Sequence, residues 1–554
     1  MSHPAREQWD VIVVGSGLGG LACATYLAAA GKRTLVLESH YVAGGNSQTF
    51  RRKTKHGLYE FDVGVHYIGE CGREGTITRI LRGAGLEGRI DFRPLDPDGF
   101  TTLIFPDLTF RVPASWDRYR ARLLETFPDE AQALASVVDV FRDVADGVRA
   151  LSNLELDITA LAAAHPGFFA WGMRPVTELF AEYGLSPRAQ AVLLGEQGDY
   201  AVPPSRTAVS LAAGLTDHYM RGAFYPEGGG QMIAARLVEA IRAYGGEVRT
   251  RAPVERIRIA GGRVAGVVLG KTGAEIDAPI VVSNADLKRT VLSLVGREHF
   301  APETVARVEA FRMSLPLFVV YVGLDTDLVA RGMPNTNYMM WGSYDIERVY
   351  RRLEAGEMSD EDFVYVTVTS IKDPANPRLA PRGHTNLQIM TVVPRDYAFW
   401  DVAAGPVDLG SNAYHTNPAY RRRKAALAER LLAAAERIVP DLRRHIDWKE
   451  AATPVTQERF TRSTGGTSYG IEFAVDQMGP LRLGPRTEIP GLFLCGASLP
   501  SGHGIGGVLH GGVSAASAVL ESDLVRRIVT GEVLGDPSRL PPVRPDFDPW
   551  RASH

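Results

Sequence analysis

The chain has 554 residues, 45% of them hydrophobic and 23% charged, with a formal net charge of −3 at pH 7. That length gives room for more than one structural unit around a sizeable core. The near-neutral charge excludes the basic signature of a nucleic-acid binder and provides no strongly basic membrane-binding face. Three cysteines, Cys23, Cys71 and Cys495, lie far apart in the sequence. They match no metal-ligand or redox spacing, so no metal site is expected. Their odd number predicts no disulfide framework and a reducing, cytoplasmic setting. The first ten residues lack the apolar core of a secretion signal. No run of about 18 uncharged apolar residues offers a membrane span.

Taken in chain order, the N-terminus reads strand, turn, helix, strand. Val11 to Val14 is a continuous β-branched run, as in a buried parallel strand. A glycine-rich turn follows, then an Ala/Leu-rich helix over 21–30 with Gly31 as its C-cap, then a strand over 33–37 that ends at Glu38. Residues 113–220 have helical texture, with Leu123, Leu124 and Phe127, and then Val137, Val140, Phe141 and Val144, at spacings of three and four. From 225 an α/β texture returns. A turn at 225–230 leads into a helix over 232–244, closed by Gly245 and Gly246, and then to strands around Val248, 254–257, 264–268 and 280–285. Further strands are expected at 315–323, 363–371 and 386–393, and a long helix at 418–438. A second glycine-rich region spans 496–512, and an extended tail begins at Pro537.

Gly15-x-Gly17-x-x-Gly20, with Ser16, Leu18 and Gly19 between, stands between a strand and a helix. In that context the glycines permit the tight turn, the approach of backbone to a pyrophosphate and the close packing of helix on sheet. The helix N-terminus offers free N–H groups to phosphate charge. Glu38, followed by Ser39, ends the second strand, where an acid binds ribose hydroxyls and disfavours a 2′-phosphate.

Two further clusters separate the possible dinucleotides. Gly44-Gly45-Asn46-Ser47 resembles the glycine doublet of the flavin amine oxidase and phytoene desaturase superfamily. The segment from Gly496 and Ala497 to Gly504-Ile505-Gly506-Gly507 resembles its C-terminal flavin motif. The resemblance implies FAD, with Gly496 and Ala497 near the ribityl phosphate and the N–H groups of Ile505 and Gly506 facing the pyrimidine end of the ring. Val65 falls within the second flavin segment. Val254 matches the position that packs on adenine, though a plain core valine fits equally.

Within that superfamily the chain resembles the branch of phytoene desaturases, carotenoid isomerases and all-trans-retinol saturases. The signposts are 60–69, Ser370 to Pro374 with 381–383, Thr453 to Thr456, and 465–470. The resemblance implies an α/β fold class: a Rossmann-type FAD-binding domain with a discontinuous α+β substrate-binding domain. Residues 1–112, 224–300 and 453–536 are assigned to the first, 113–223 and 301–452 to the second, and 537–554 to the tail. It also implies hydride chemistry on carbon–carbon double bonds of a lipophilic polyene or isoprenoid, in a long apolar tunnel.

His66, Tyr67 and His503 are the candidate catalytic side chains; the alternative for His66 and Tyr67 is packing and hydrogen bonding beside the cofactor, and for His503 capping of the glycine loop. His510 reads as structural, and Asp62 as a tie for local backbone N–H groups. The aromatic stretch 165–174, with Phe168, Phe169, Trp171 and Met173, either contacts a membrane surface or lines the tunnel. Competing readings are an amine oxidase, an enzyme modifying unsaturated fatty acids, and a lipid-binding chaperone like the GDP-dissociation inhibitors, which lack the intact flavin glycines. Oligomeric state and reaction direction are open from sequence.

Overall fold

Five short strands, all but the charged edge strand Glu247–Arg249 mainly apolar, form a parallel sheet in the order Glu247–Arg249, Thr34–Leu37, Val11–Val14, Ile280–Ser283, Leu492–Leu494. The computed structural model that shows this describes residues 7–151, 157–360, 362–403 and 413–554. The two central N-terminal strands are buried at every position, because helices cover both faces; their sequences are therefore continuously apolar rather than alternating. Helix Leu18–Ala29 is buried along nearly its whole length, between the sheet, helix Met232–Ala243 and helix Gly504–Leu520. Small residues set that packing distance. A Cβ added at Gly512 would stand 2.3 Å from the Gly19 carbonyl oxygen and 2.9 Å from the Ala22 Cβ.

A second, seven-stranded sheet runs Ile446–Ala452, Leu317–Leu324, Thr385–Val392, Val364–Thr367, Asn337–Met340, Thr101–Ile104, Thr109–Val112. Alternation along Leu317–Leu324 divides its two faces. Phe318, Val320 and Val322 pack with Leu427, Leu431 and Leu432 of helix Pro418–Ala435. Val319 and Tyr321 point the other way, into a cavity shared with the parallel sheet. The segment between 113 and 223 is helical, from Trp116–Thr126 to Val209–Met220, as its periodicity predicts.

Three expectations are corrected. The hairpin at 101–112, assigned by sequence to the cofactor unit, joins the seven-stranded sheet, because Thr101–Ile104 pairs in parallel with Asn337–Met340. The strand expected over 363–371 stops at Thr367, and Thr369–Lys372 turns as a short helix. The C-terminal residues are not an extended tail. Arg51 holds Asp548 through both carboxylate oxygens, at 2.6 and 2.9 Å, and Ala43 N–H donates to the Ser553 carbonyl at 2.8 Å. The Arg236 guanidinium lies 3.7 Å from the centre of the Phe547 ring.

The contact between the first and last long helices yields a test. Gly512→Leu should destabilise the protein by about 3 kcal/mol through overpacking, read as a lower midpoint in thermal unfolding. An unchanged midpoint would show that the two helices are not packed this closely.

Candidate functional site

All the strands of the parallel sheet point the same way, so Val14, Leu37, Ser283 and Leu494 end at one edge, where such sheets bind ligands. A cavity of about 390 Å³ opens there. It is lined by Gly15, Ser16, Gly17, Leu18 and Gly19; by Glu38 and Ser39; by Gly44, Gly45, Asn46 and Ser47; by Val254; and by Gly496, Ala497, Gly504 and Ile505. His66 and His503 line it too. Gly20, Val65, Gly506, Gly507 and Tyr67 do not. A Cβ at Gly20 would sit 2.3 Å from the Gly15 carbonyl oxygen, and one at Gly507 would sit 2.7 Å from that of Ser501, so these two positions close turns onto helices. Val65 packs against Gly230.

At one end Glu38 is buried, and both its oxygens are oriented. One accepts from Ser16 N–H at 2.9 Å and from Ser16 Oγ at 2.6 Å; the other accepts from His40 N–H at 2.7 Å and from Ser39 Oγ at 3.1 Å. In the middle, helix Leu18–Ala29 begins at Gly17 with no side chain capping it, which leaves its first-turn N–H groups for an anion. The doublet Gly44-Gly45 lies against this turn. Gly44 N–H donates to Ser16 O at 3.0 Å, and a Cβ at Gly45 would stand 2.9 Å from Gly17 Cα. Asn46 reaches across, donating to Ser468 O at 3.1 Å and accepting from Gln457 Nε2 at 2.6 Å. At the far end helix Gly504–Leu520 also starts without a side-chain cap, after His503. The glycine cradle, the oriented carboxylate and two uncapped helix N-termini fit a flavin dinucleotide.

Sequence reasoning passed over the residue at the centre of these turns. Asn284, at the end of strand Ile280–Ser283, donates through Nδ2 to Gly15 O at 3.4 Å and accepts from Cys495 Sγ at 3.3 Å. A Cβ at Gly17 or Gly496 would collide with its amide, at 2.8 and 2.5 Å.

Polar groups gather where the cavity meets the seven-stranded sheet. The His66 ring lies edge-on to Tyr365, 5.7 Å between centres, and its Nδ1 has no partner. Burial, with Lys372 adding to it, pushes this imidazole down to about 3. His503 packs against Tyr469 and Phe473, at 5.0 and 5.8 Å between centres, also with an unpartnered Nδ1. Burial and Arg482 push it down to about 3. Both rings are therefore neutral. Tyr67 stacks on Tyr219 at 4.3 Å, and its hydroxyl donates to Asp199 Oδ2 at 2.5 Å. Asp62 accepts from Tyr225 Oη at 2.6 Å and from Gly230 N–H at 3.0 Å, the backbone tie expected of it. Lys372 is buried and spends its donors on His66 O, Asn337 Oδ1 and Thr367 Oγ1. Tyr321, Phe363, Tyr365, Tyr469 and Met390 complete an aromatic and apolar wall. Arg482 donates to the carbonyls of Ala497, Ile471 and Gln477, tying the 471–477 loop to the last glycine cluster. Asp199 and Tyr365 carry no local sequence signal, and Lys372 lies in the Ser370 to Pro374 signpost, which marks the branch without singling out this side chain.

The chain matches the family described as flavin containing amine oxidoreductase over residues 18–520. All-trans-retinol 13,14-reductase of Macaca fascicularis is 30% identical over 544 residues, 94% of this chain and 86% of that protein. Prolycopene isomerase 1, chloroplastic, of an Oncidium hybrid cultivar is 27% identical, over 93% of this chain and 84% of that protein. All-trans-zeta-carotene desaturase of Myxococcus xanthus is 28% identical, over 97% of each. These relatives agree with the branch read from the motifs. Among solved structures, a putrescine oxidase superposes with a TM-score of 0.62 at 15% identity, over 93% of this chain and 99% of that one, a likeness of fold. With its glycine turns meeting at the end of a parallel sheet and a match spanning most of its length, the chain belongs to the flavin containing amine oxidoreductase family.

Proposed function

We propose that the chain is an FAD-dependent oxidoreductase acting on carbon–carbon double bonds of a lipophilic polyene or isoprenoid. The observation that carries this is the wall of the cavity beyond the glycine cradle. It is built from Val319, Tyr321, Phe363, Tyr365 and Met390, which suit an unsaturated hydrocarbon held by burial alone. The relatives named for retinol, prolycopene and zeta-carotene support the same substrate class.

Residues Gly15 to Gly19, Gly44 to Ser47, Gly496 and Ala497 would hold the pyrophosphate and ribityl portions. Glu38 would take the ribose hydroxyls, and the start of helix Gly504–Leu520 would face the ring. When bound, the flavin supplies hydride exchange with a carbon of the substrate. The protein's part is to position the chain, exclude water and handle the accompanying proton. In this reading His66 and His503 shape and orient the substrate as neutral rings, and Tyr67 acts from behind the wall.

A membrane surface is the proposed source of such a substrate, with the protein peripheral and cytoplasmic. No helix among the described residues is long and apolar enough to cross a membrane. Half of the 165–174 stretch is packed: Phe168 lies over Gly147, and Trp171 lies under Arg174. The other half is exposed: Phe169 and Met173 are open to solvent, as are Val148, Leu151 and Ile158 in the neighbouring segments. Exposed apolar side chains of this kind suit insertion at a lipid interface.

Three measurements test the proposal. FAD should bind more tightly than FMN, and Glu38→Ala should weaken FAD about 10- to 100-fold, the worth of a charged hydrogen bond, while leaving FMN unchanged; equal weakening of both would remove Glu38 from the ribose. Anaerobic incubation with retinol, phytoene and lycopene, supplying reduced or oxidised flavin, should change product mass by the gain or loss of two hydrogens, or change retention time alone. Peroxide production from amines, with polyenes untouched, would favour the amine-oxidase reading instead. A variant carrying Ile158→Ser, Phe169→Ser and Met173→Ser should float with phosphatidylcholine liposomes less than the parent; equal flotation removes the membrane contact.

A further inference from the structure

The cavity is lined by three carboxyl side chains, and their partners differ in kind. Glu38 is turned to the backbone N–H groups of Ser16 and His40. Asp286 is turned to those of Arg289 and Thr464. Asp199, at the end of the turn Gln197–Asp199, accepts from two phenols among the described residues: Tyr67 Oη at 2.5 Å and Tyr219 Oη at 3.3 Å, both on Oδ2. Tyr67 Oη also reaches Glu196 Oε1 at 3.5 Å. Neither Glu196 nor Asp199 forms an ion pair among the described residues, and the nearby Lys372 is committed to His66 O, Asn337 and Thr367. Tyr365 and Tyr469 face the same space, and Tyr469 Oη donates to Gly198 O at 3.0 Å. Thr101 lies against Glu196, and the His503 ring meets the Asp199 backbone.

Two half-buried carboxyls that share the Tyr67 hydroxyl, with no cation bonded to either among the described residues, retain a proton between them. Burial pushes Asp199 up to about 6; burial and the Asp199 charge push Glu196 up to about 8. The alternatives are weaker acids for this task. His66 and His503 are neutral imidazoles beside Lys372 and Arg482.

We propose that Asp199 is the acid–base residue that exchanges a proton with a substrate carbon, and that Tyr67 connects it to Glu196 as a proton reserve. The proposal rests on the polyene reading above. In the saturating direction one carbon of the double bond receives a hydride from flavin previously reduced by a two-electron donor. The π electron pair then forms a C–H bond at the adjacent carbon with the Asp199 proton as the O–H bond breaks. The retained proton reaches Asp199 beforehand: Glu196 gives it to Tyr67 Oη as Tyr67 gives its own to Asp199, so both carboxyls are charged after the transfer to carbon and a proton from water restores the pair. Desaturation runs the same proton transfer in reverse. Tyr67 touches neither substrate nor cavity and is a positioning and relay residue.

The experiment uses FAD-loaded enzyme, dithionite as reductant and all-trans-retinol as probe. Asp199→Asn should lower turnover at least 100-fold, within the range of a lost general acid, while FAD affinity and thermal midpoint stay near those of the parent. Tyr67→Phe should slow turnover about tenfold and raise the solvent deuterium isotope effect. A readout independent of turnover is the infrared carbonyl band of a protonated carboxylic acid. It should be present in the parent, shift in D2O, and vanish in the Asp199→Asn, Glu196→Gln double variant. Asp199→Asn turning over retinol within threefold of the parent would overturn the proposal, as would a parent spectrum without that band. A parent enzyme that transforms none of retinol, phytoene and lycopene would instead overturn the polyene reading on which the proposal rests.

Discussion

The site depends on one close contact, the seating of Asn284 among glycines contributed by two ends of the chain. Its backbone N–H extends the sheet by bonding Val14 O at 2.9 Å, and its amide meets Gly17, Gly19 and Gly496 at distances that leave no room for a Cβ. Adding a side chain at any of these positions would push apart the turn, the helix or the final strand, because interiors at this density do not yield. The parallel sheet brings its strand ends to one edge, and the missing side chains let the loops meet there. An open cradle of backbone N–H groups remains, with Glu38 fixed at its margin. That geometry suits the anionic part of the proposed cofactor.

The second sheet supplies what the first cannot. Strand Leu317–Leu324 alternates between a helix-covered core and the cavity, so one face of the sheet is structural while the other presents Val319 and Tyr321 to a ligand. The cavity thus runs from a polar, glycine-lined end to an aromatic one. A cofactor carrying charge at one end and a flat ring at the other suits that gradient. Around the aromatic end, buried Lys372 ties the 62–67 segment to the seven-stranded sheet, and half-buried Asp199 ties it to the helical insertion through Tyr67 and Tyr219. There unpaired polar atoms are costly, and titration moves far from ordinary values.

The cofactor end was legible in the sequence because its chemistry is local. A strand followed by three spaced glycines and a helix declares itself within twenty residues, and the Gly44 and Gly496 clusters do so by their own composition. Asn284 was visible only as the end of a strand; its role exists only once Gly17 and Gly496 have met. Asp199 sits in a segment with no motif, and Lys372 lies in the Ser370 to Pro374 signpost without a role of its own there; the significance of both comes from converging on Tyr67 and His66 across large sequence separations. Topology misled the reading in one place. The hairpin at 101–112 is continuous with the cofactor unit in sequence, but it completes the other sheet by a parallel pairing that no local pattern encodes. The C-terminal residues read as a loose Pro/Arg-rich tail, since the bidentate Arg51–Asp548 pair that docks them joins positions at opposite ends of the chain.

The most direct test of the central claim is the flavin content of the purified protein. Heat denaturation should release one FAD per chain, with the flavin absorbance spectrum present before denaturation. Protein that is colourless as purified, and that gains no flavin spectrum when folded chain is titrated with FAD, would contradict the account.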